Sequence, residues 1–148
     1  MKIVYITPQL PYPPDSGGKI KALSTIKSLI NLGHEVSLFT FVESKKNLVY
    51  EKKLKTLGIE IITSIYNPKI KEANRMRLIL NILVSLTTVK PYSILRYYDN
   101  RLLNKIHKYI LFNRPDILWI NSTSMTHYIS NQFKVIKVFE GYDIDSEL

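Results

Sequence analysis

The sequence predicts an α/β fold of the doubly wound kind, a parallel sheet with helices on both faces. Three observations predict it. Short apolar runs rich in β-formers alternate with longer stretches whose apolar residues recur at helical spacing. The links between them are short, so strand, helix and strand form right-handed crossovers and the strands run parallel. The first run, Lys2-Ile3-Val4-Tyr5-Ile6, leads through a loop into a helix start, the order that makes the ligand corner of an open α/β sheet. Together these describe a Rossmann-like sheet of about six strands. A chain of 148 residues is long enough for one such domain, spanning 1–148.

Each element has its own justification. After the first strand, Ile20, Leu23, Ile26, Leu29 and Ile30 recur at helical spacing, and Gly33 closes that helix. Glu35 to Phe41 is rich in β-formers and reads as the second strand. Ser44 to Leu57 is helical in pattern, with Leu48, Leu54 and Leu57 inward, lysines on its exposed side and Gly58 as its cap. Ile59 to Thr63 reads as the third strand, and Asn67-Pro68 as a turn. Asp99 to Phe112 is a helix with Leu102, Leu103, Ile106 and Ile110 inward. After the turn Asn113-Arg114-Pro115-Asp116, Ile117 to Ile120 is a buried strand. Ser122 to Ser130 is a short helix capped by Ser122 or Thr123, and Lys134 to Phe139 is the next strand.

The corner itself is Thr7 to Ala22, TPQLPYPPDSGGKIKA. Pro8, Pro11, Pro13 and Pro14 fix φ and cannot continue the strand, so the loop is stiff. Asp15-Ser16 offers a side-chain cap. Gly17-Gly18 removes side chains where the helix begins, and backbone N–H groups at a helix N-terminus attract a phosphate. Lys19 adds a positive charge beside them. A Walker A loop is excluded, because Ile20 follows Lys19 where Ser or Thr is required, and one Gly pair does not make GxGxxG. Spacing alone leaves two readings open, an anion site and a turn that lets helix and strand pack closely.

The formal net charge is +9, which favours an anionic partner. There is no cysteine, so disulfides and thiolate metal sites are excluded. The N-terminus runs straight into a strand without the features of a signal peptide, so a cytoplasmic location is expected. Lys69, Lys71, Arg75 and Arg77 lead into an apolar run, Leu78 to Leu86, too short to span a membrane. A buried helix is the default there. Peripheral contact with an anionic membrane is the alternative. Tyr92, Tyr97 and Tyr98 with Arg96 make an aromatic-basic cluster, but no RNA-binding signature accompanies it, and no nucleic-acid partner is expected.

The order of landmarks resembles a known family. The PYPP run, Gly17-Gly18 with the helix after it, and Leu32-Gly33-His34-Glu35-Val36 resemble the N-terminal domain of a family 4 glycosyltransferase of GT-B fold. Lys90-Pro91-Tyr92-Ser93, Arg114-Pro115-Asp116-Ile117 and Tyr142-Asp143-Ile144-Asp145-Ser146-Glu147 agree, so the likeness runs nearly end to end. Within that family it resembles bacterial sugar transferases of exopolysaccharide type. The resemblance implies the acceptor-side half of an enzyme that moves a sugar from a nucleotide-sugar to a glycan or lipid-linked acceptor. Gly17, Gly18 and Lys19 would meet the donor phosphates. Asp15, Asn121, Ser122, Asp143 and Asp145 would line the acceptor side of the cleft.

No cofactor is implied beyond the nucleotide-sugar co-substrate. Asp143-Ile144-Asp145 spells a DxD pattern able to hold a hard cation. Enzymes of this fold generally work without a metal, so no metal is expected; acceptor contact or a helix cap is the reading for these aspartates. Many family members carry a histidine just after the strand matching Trp119-Ile120; here those positions are Asn121 and Ser122. Of the three histidines, His34 reads as structural, His107 as exposed on its helix, and His127 does not replace the missing one. In the resembled enzymes a C-terminal domain holds most of the nucleotide-sugar site. That domain is not within these 148 residues, so the chain alone is expected to be inactive. A stand-alone, non-catalytic α/β module that binds an anionic ligand or a partner is the other reading.

Overall fold

The computed structural model describes residues 1–44, 47, 49–67 and 92–141. At its centre is a five-stranded, all-parallel sheet in the order β3-β2-β1-β4-β5. The strands are β1 (Lys2–Thr7), β2 (Glu35–Val42), β3 (Ile61–Tyr66), β4 (Ile117–Asn121) and β5 (Ile136–Glu140). The helices are α1 (Gly17–Asn31), α2 (Val49–Lys55), α3 (Tyr92–Tyr97) and α4 (Asn100–Asn113), with a 3-10 helix at Thr123–Tyr128. This is the doubly wound, Rossmann-like class the sequence predicts. The sheet has five strands among the described residues rather than about six.

A parallel sheet must be covered on both faces, and the strands are written for it. Every residue of β1 after Lys2 is buried. Ile3 and Tyr5 face α1, where Leu23, Ile26 and Leu29 meet them together with Val36 and Leu38 of β2. Val4 and Ile6 face the other way, toward Leu102, Ile106 and Ile110 of α4. The strand order turns back between β1 and β4, which makes their carboxyl ends the topological switch point.

Helix ends follow local chemistry. Gly33 has φ +81 and closes α1 in a Schellman motif: its N–H donates to Ile30 O and the His34 N–H to Leu29 O. Gly58 stands at φ +90 after α2, and a Cβ there would lie 3.2 Å from Ile30 Cγ2. Asp99 caps α4, its carboxylate accepting from the Arg101 N–H at 2.8 Å.

Several expectations are corrected. β3 starts at Ile61, not Ile59, and continues to Tyr66 because β2 extends to Val42 and keeps offering it partners. Within the expected Ser44–Leu57, α2 runs over Val49–Lys55 and gives way to a turn at Thr56 and Leu57. Ile20 is 54% exposed. At about 100° per residue it falls on the side of α1 away from the stripe of Ala22, Ile26 and Leu29, whereas Lys19 falls near that stripe. Ser16 occupies the N-cap position of α1 in an extended conformation, but its side chain makes no capping hydrogen bond. His107 is half-buried rather than exposed, edge-on to Phe133 with ring centres 5.0 Å apart. Among the described residues no helix is long and apolar enough to cross a membrane. The basic entry and apolar run at 69–86 lie outside the described residues.

The two left-handed glycines are separable by what surrounds them. Gly33→Ala meets open space and should cost about 1 kcal/mol, the backbone penalty alone; Gly58→Ala adds the Ile30 contact and should cost about 2 kcal/mol. Urea-denaturation midpoints of the two variants check the order.

Candidate functional site

Each strand places one polar residue at the same level near its carboxyl end, on the face that α1 and α2 cover. The register pairs Ser64 with Thr40, Thr40 with Thr7, and Asn121 with Glu140. The Thr7 hydroxyl donates to Asn121 Oδ1 at 3.2 Å, which carries this polar rung across the switch point between β1 and β4. Thr7, Thr40 and Asn121 are all buried. Buried polar groups persist only when they are hydrogen-bonded, so the rung is a fixed framework under the ligand edge.

Glu140 is its anchor. Its Oε2 accepts from the Tyr5 hydroxyl, the Trp119 indole N–H and the Asn121 amide, each at 3.0 Å. Its Oε1 accepts from the Thr25 hydroxyl of α1 at 3.2 Å and lies 3.7 Å from Lys21 Nζ. The Asn121 amide also donates to the Tyr5 hydroxyl at 2.8 Å. Burial pushes the Glu140 carboxyl up, but the hydrogen bonds from Asn121, Trp119, Tyr5 and Thr25 outweigh it and hold the group below the ordinary glutamate range. The side chain is therefore a carboxylate at neutral pH although only 13% of it is exposed.

Lys21 Nζ also donates to Gly141 O at 3.0 Å, so one α1 side chain reaches across the end of β5. This ties the first turns of α1, with Gly17 and Gly18, to the ends of β4 and β5. Gly17 and Gly18 are exposed at the start of α1, and a Cβ on Gly17 would meet nothing within 4 Å. Ile20 N–H makes an intrahelical bond to Ser16 O, so the N–H groups of Gly17, Gly18 and Lys19 precede the helical ladder. Lys19 is not a bare charge: its Nζ pairs with Asp15 Oδ1 at 2.8 Å, and that contact lowers the Asp15 carboxyl.

Ser122, directly after β4, has φ +92, a conformation L residues rarely adopt. It is held by its N–H to Glu140 O at 3.0 Å and by its hydroxyl, which accepts from the Ser124 N–H and sits 2.9 Å from the Ser124 hydroxyl. Asn121 is fully buried behind it, so of the two residues only Ser122 reaches the surface. Asp143 and Asp145 lie outside the described residues.

The aromatic-basic cluster divides. Tyr97 packs against the core, while Tyr98 is 43% exposed and donates to Asn100. His127 lies between Tyr98 and Tyr128 rather than at the end of β4. Among the described residues no group of three or more His, Asp or Glu could hold a metal ion.

The features that escape sequence reading are Glu140, Lys21 and the rung. A glutamate ending the strand-like run Lys134 to Phe139 is the one local signal, and it reads equally well as the first loop residue. The fold and its edge define a Rossmann-like α/β domain with a built polar floor at its switch point. No family model, curated protein or solved structure matches the chain.

Removing the Glu140 carboxylate leaves several inward-pointing donors without an acceptor. Glu140→Ala should cost about 2–3 kcal/mol in urea denaturation at pH 7, and Glu140→Gln less, since its amide oxygen still accepts. Because the folded-state pKa is depressed, the stabilisation by the charged form is full above the ordinary value of 4.5 and is lost as pH falls through the lower folded value. The gap between wild type and Glu140→Gln should thus be flat above about pH 5 and shrink below 4.5.

Proposed function

We propose that the chain is the acceptor-side half of a glycosyltransferase that moves a sugar from a nucleotide-sugar to a glycan or lipid-linked acceptor. The observation that carries the reading is the meeting, at one sheet edge, of the Pro-rich loop, the Gly17-Gly18 helix start and the switch-point residues Asn121 and Ser122. The order of the sequence landmarks supports it independently. In this reading Gly17 and Gly18 let donor phosphates approach the backbone at the start of α1. Lys19, steered by Asp15, supplies charge beside them. Ser122 faces the acceptor.

A second half brings the nucleotide-sugar, and no metal takes part. Helix ends and basic side chains stabilise the leaving diphosphate instead. The reaction runs on the cytoplasmic side, where peripheral contact with an anionic membrane is one way for a lipid-linked acceptor to reach the cleft.

Gly17 gives the test. Its Cβ space is empty, so Gly17→Val should shift the thermal midpoint by no more than about 2 °C. Transfer should be measured in a polypeptide or complex that supplies the nucleotide-sugar half. There the variant should lose about 100-fold or more, the scale of one oriented backbone donor. The 148-residue chain alone should transfer nothing. Robust turnover by that chain would overturn the half-enzyme reading. Full activity of Gly17→Val would overturn the phosphate corner and favour an α/β binding module with its ligand elsewhere.

A further inference from the structure

On the face of the sheet away from α1, a groove of about 330 Å³ lies between the second half of α4 and the middle of β2 and β3. Every apolar side chain that lines it is aromatic: Phe39, Tyr109 and Phe112. Phe39 is buried and forms the back, and Thr63, its register neighbour on β3, adds a hydroxyl. Tyr109 stands edge-on to Phe39, with ring centres 5.3 Å apart and planes at 63°. Its hydroxyl lies 2.8 Å from the Ser37 hydroxyl, and its carbonyl accepts from Asn113 Nδ2 at 3.1 Å, so the ring is held at both ends. Phe112 is 77% exposed at the mouth, with Lys108 Nζ 6.0 Å from its ring centre.

Lys105 and Lys108 stand about one helical turn apart on the rim. No acidic side chain lines the groove, and among the described residues neither lysine has a carboxylate partner. The corner differs in this respect, since Lys19 and Lys21 are both met by carboxylates there. The groove thus presents one fixed ring, one open ring and two uncompensated positive charges.

We propose that this groove binds an aromatic acid, with the ring between Tyr109 and Phe112 and the acid group toward Lys105 and Lys108. A planar ring gains edge and offset contacts with the aromatic walls that an alkyl chain does not. The two ammonium groups select an anion over a neutral ring of the same shape. The volume falls at the lower end of small-molecule sites, about 300–1,000 Å³, and takes one small molecule. A nucleic-acid strand would need a basic track along its backbone, and only two cations line this groove. The site lies on another face of the sheet from the Gly17-Gly18 corner and is independent of the sugar-transfer reading.

The test uses the ¹⁵N-labelled 148-residue chain and three probes: 2-naphthoate, the neutral 2-naphthylmethanol and the aliphatic decanoate. Amide shifts are followed on titration. 2-Naphthoate should move Thr63 and the stretch from Lys105 to Asn113 and leave Gly17 and Ser122 in place. It should bind about 10-fold tighter than the alcohol, the scale of two exposed ion pairs, and weaken with added salt. The double variant Lys105→Gln, Lys108→Gln should erase the preference for the acid. Phe112→Ala should weaken acid and alcohol alike, by about 5-fold, and its exposed position leaves the thermal midpoint unchanged.

No shifts in the groove with 2-naphthoate overturn the site. Equal affinity for acid and alcohol, or a preference that survives the double variant, overturns the role of the lysines. Decanoate binding in the groove as tightly as 2-naphthoate overturns the aromatic class, and so does unchanged affinity in Phe112→Ala.

Discussion

A carboxylate at the end of a buried strand has to be satisfied by its surroundings, and Glu140 shows how much structure that demand organises. Its two oxygens collect donors from β1, β4 and α1, and its own strand adds a fourth element. Leaving such a charge unpaired would cost several kcal/mol, so these elements are held in one register and at one height. The requirement acts both ways. Tyr5 and Trp119 are large rings with polar tips, stacked with centres 6.2 Å apart, and each needs an acceptor once buried. Glu140 supplies it for both.

The consequence for function is a rigid floor. Loops at the carboxyl edge of a parallel sheet carry ligands, but only a fixed base lets them be precise. The polar rung fixes the base, and Lys21 and Thr25 fix the start of α1 above it. The strained backbone of Ser122 is tolerable for the same reason: the Glu140 carbonyl and the Ser124 contacts determine it from two sides. The ligand edge therefore has two flanks that meet at the Gly pair. One runs along the ends of β4 and β5, the other toward the end of β2.

Charge is divided over the same edge. Lys19 and Lys21 sit two residues apart on α1 but serve different neighbours, Asp15 in the loop and Glu140 in the sheet. Neither is a simple point of attraction for an anion. An excess of basic residues in the whole chain says that anionic partners are favoured, yet at this corner the basic groups are already partly balanced. Backbone N–H groups at the helix start keep their polarity whatever the side chains do, which makes Gly17 and Gly18 the better-defined part of the corner.

The sequence by itself determined the fold class, nearly all element types and the position of the corner. These are local matters. Short apolar runs rich in β-formers, helical patterns, Gly33 and Gly58 after helices, and Pro-rich punctuation act over a few residues, and they read directly as strands, helices and stops. Boundaries shifted where a neighbour decided them, as when β2 drew β3 on to Tyr66. Ile20 turned outward, because which side of α1 meets the sheet is a property of packing and not of spacing alone. Only the tertiary structure decided the site's interior. Thr7, Asn121 and Glu140 are separated by more than a hundred residues and by nineteen, respectively, and nothing local marks them as partners. They meet because parallel register brings strand ends to one level, and a buried charge selects whatever donors stand there.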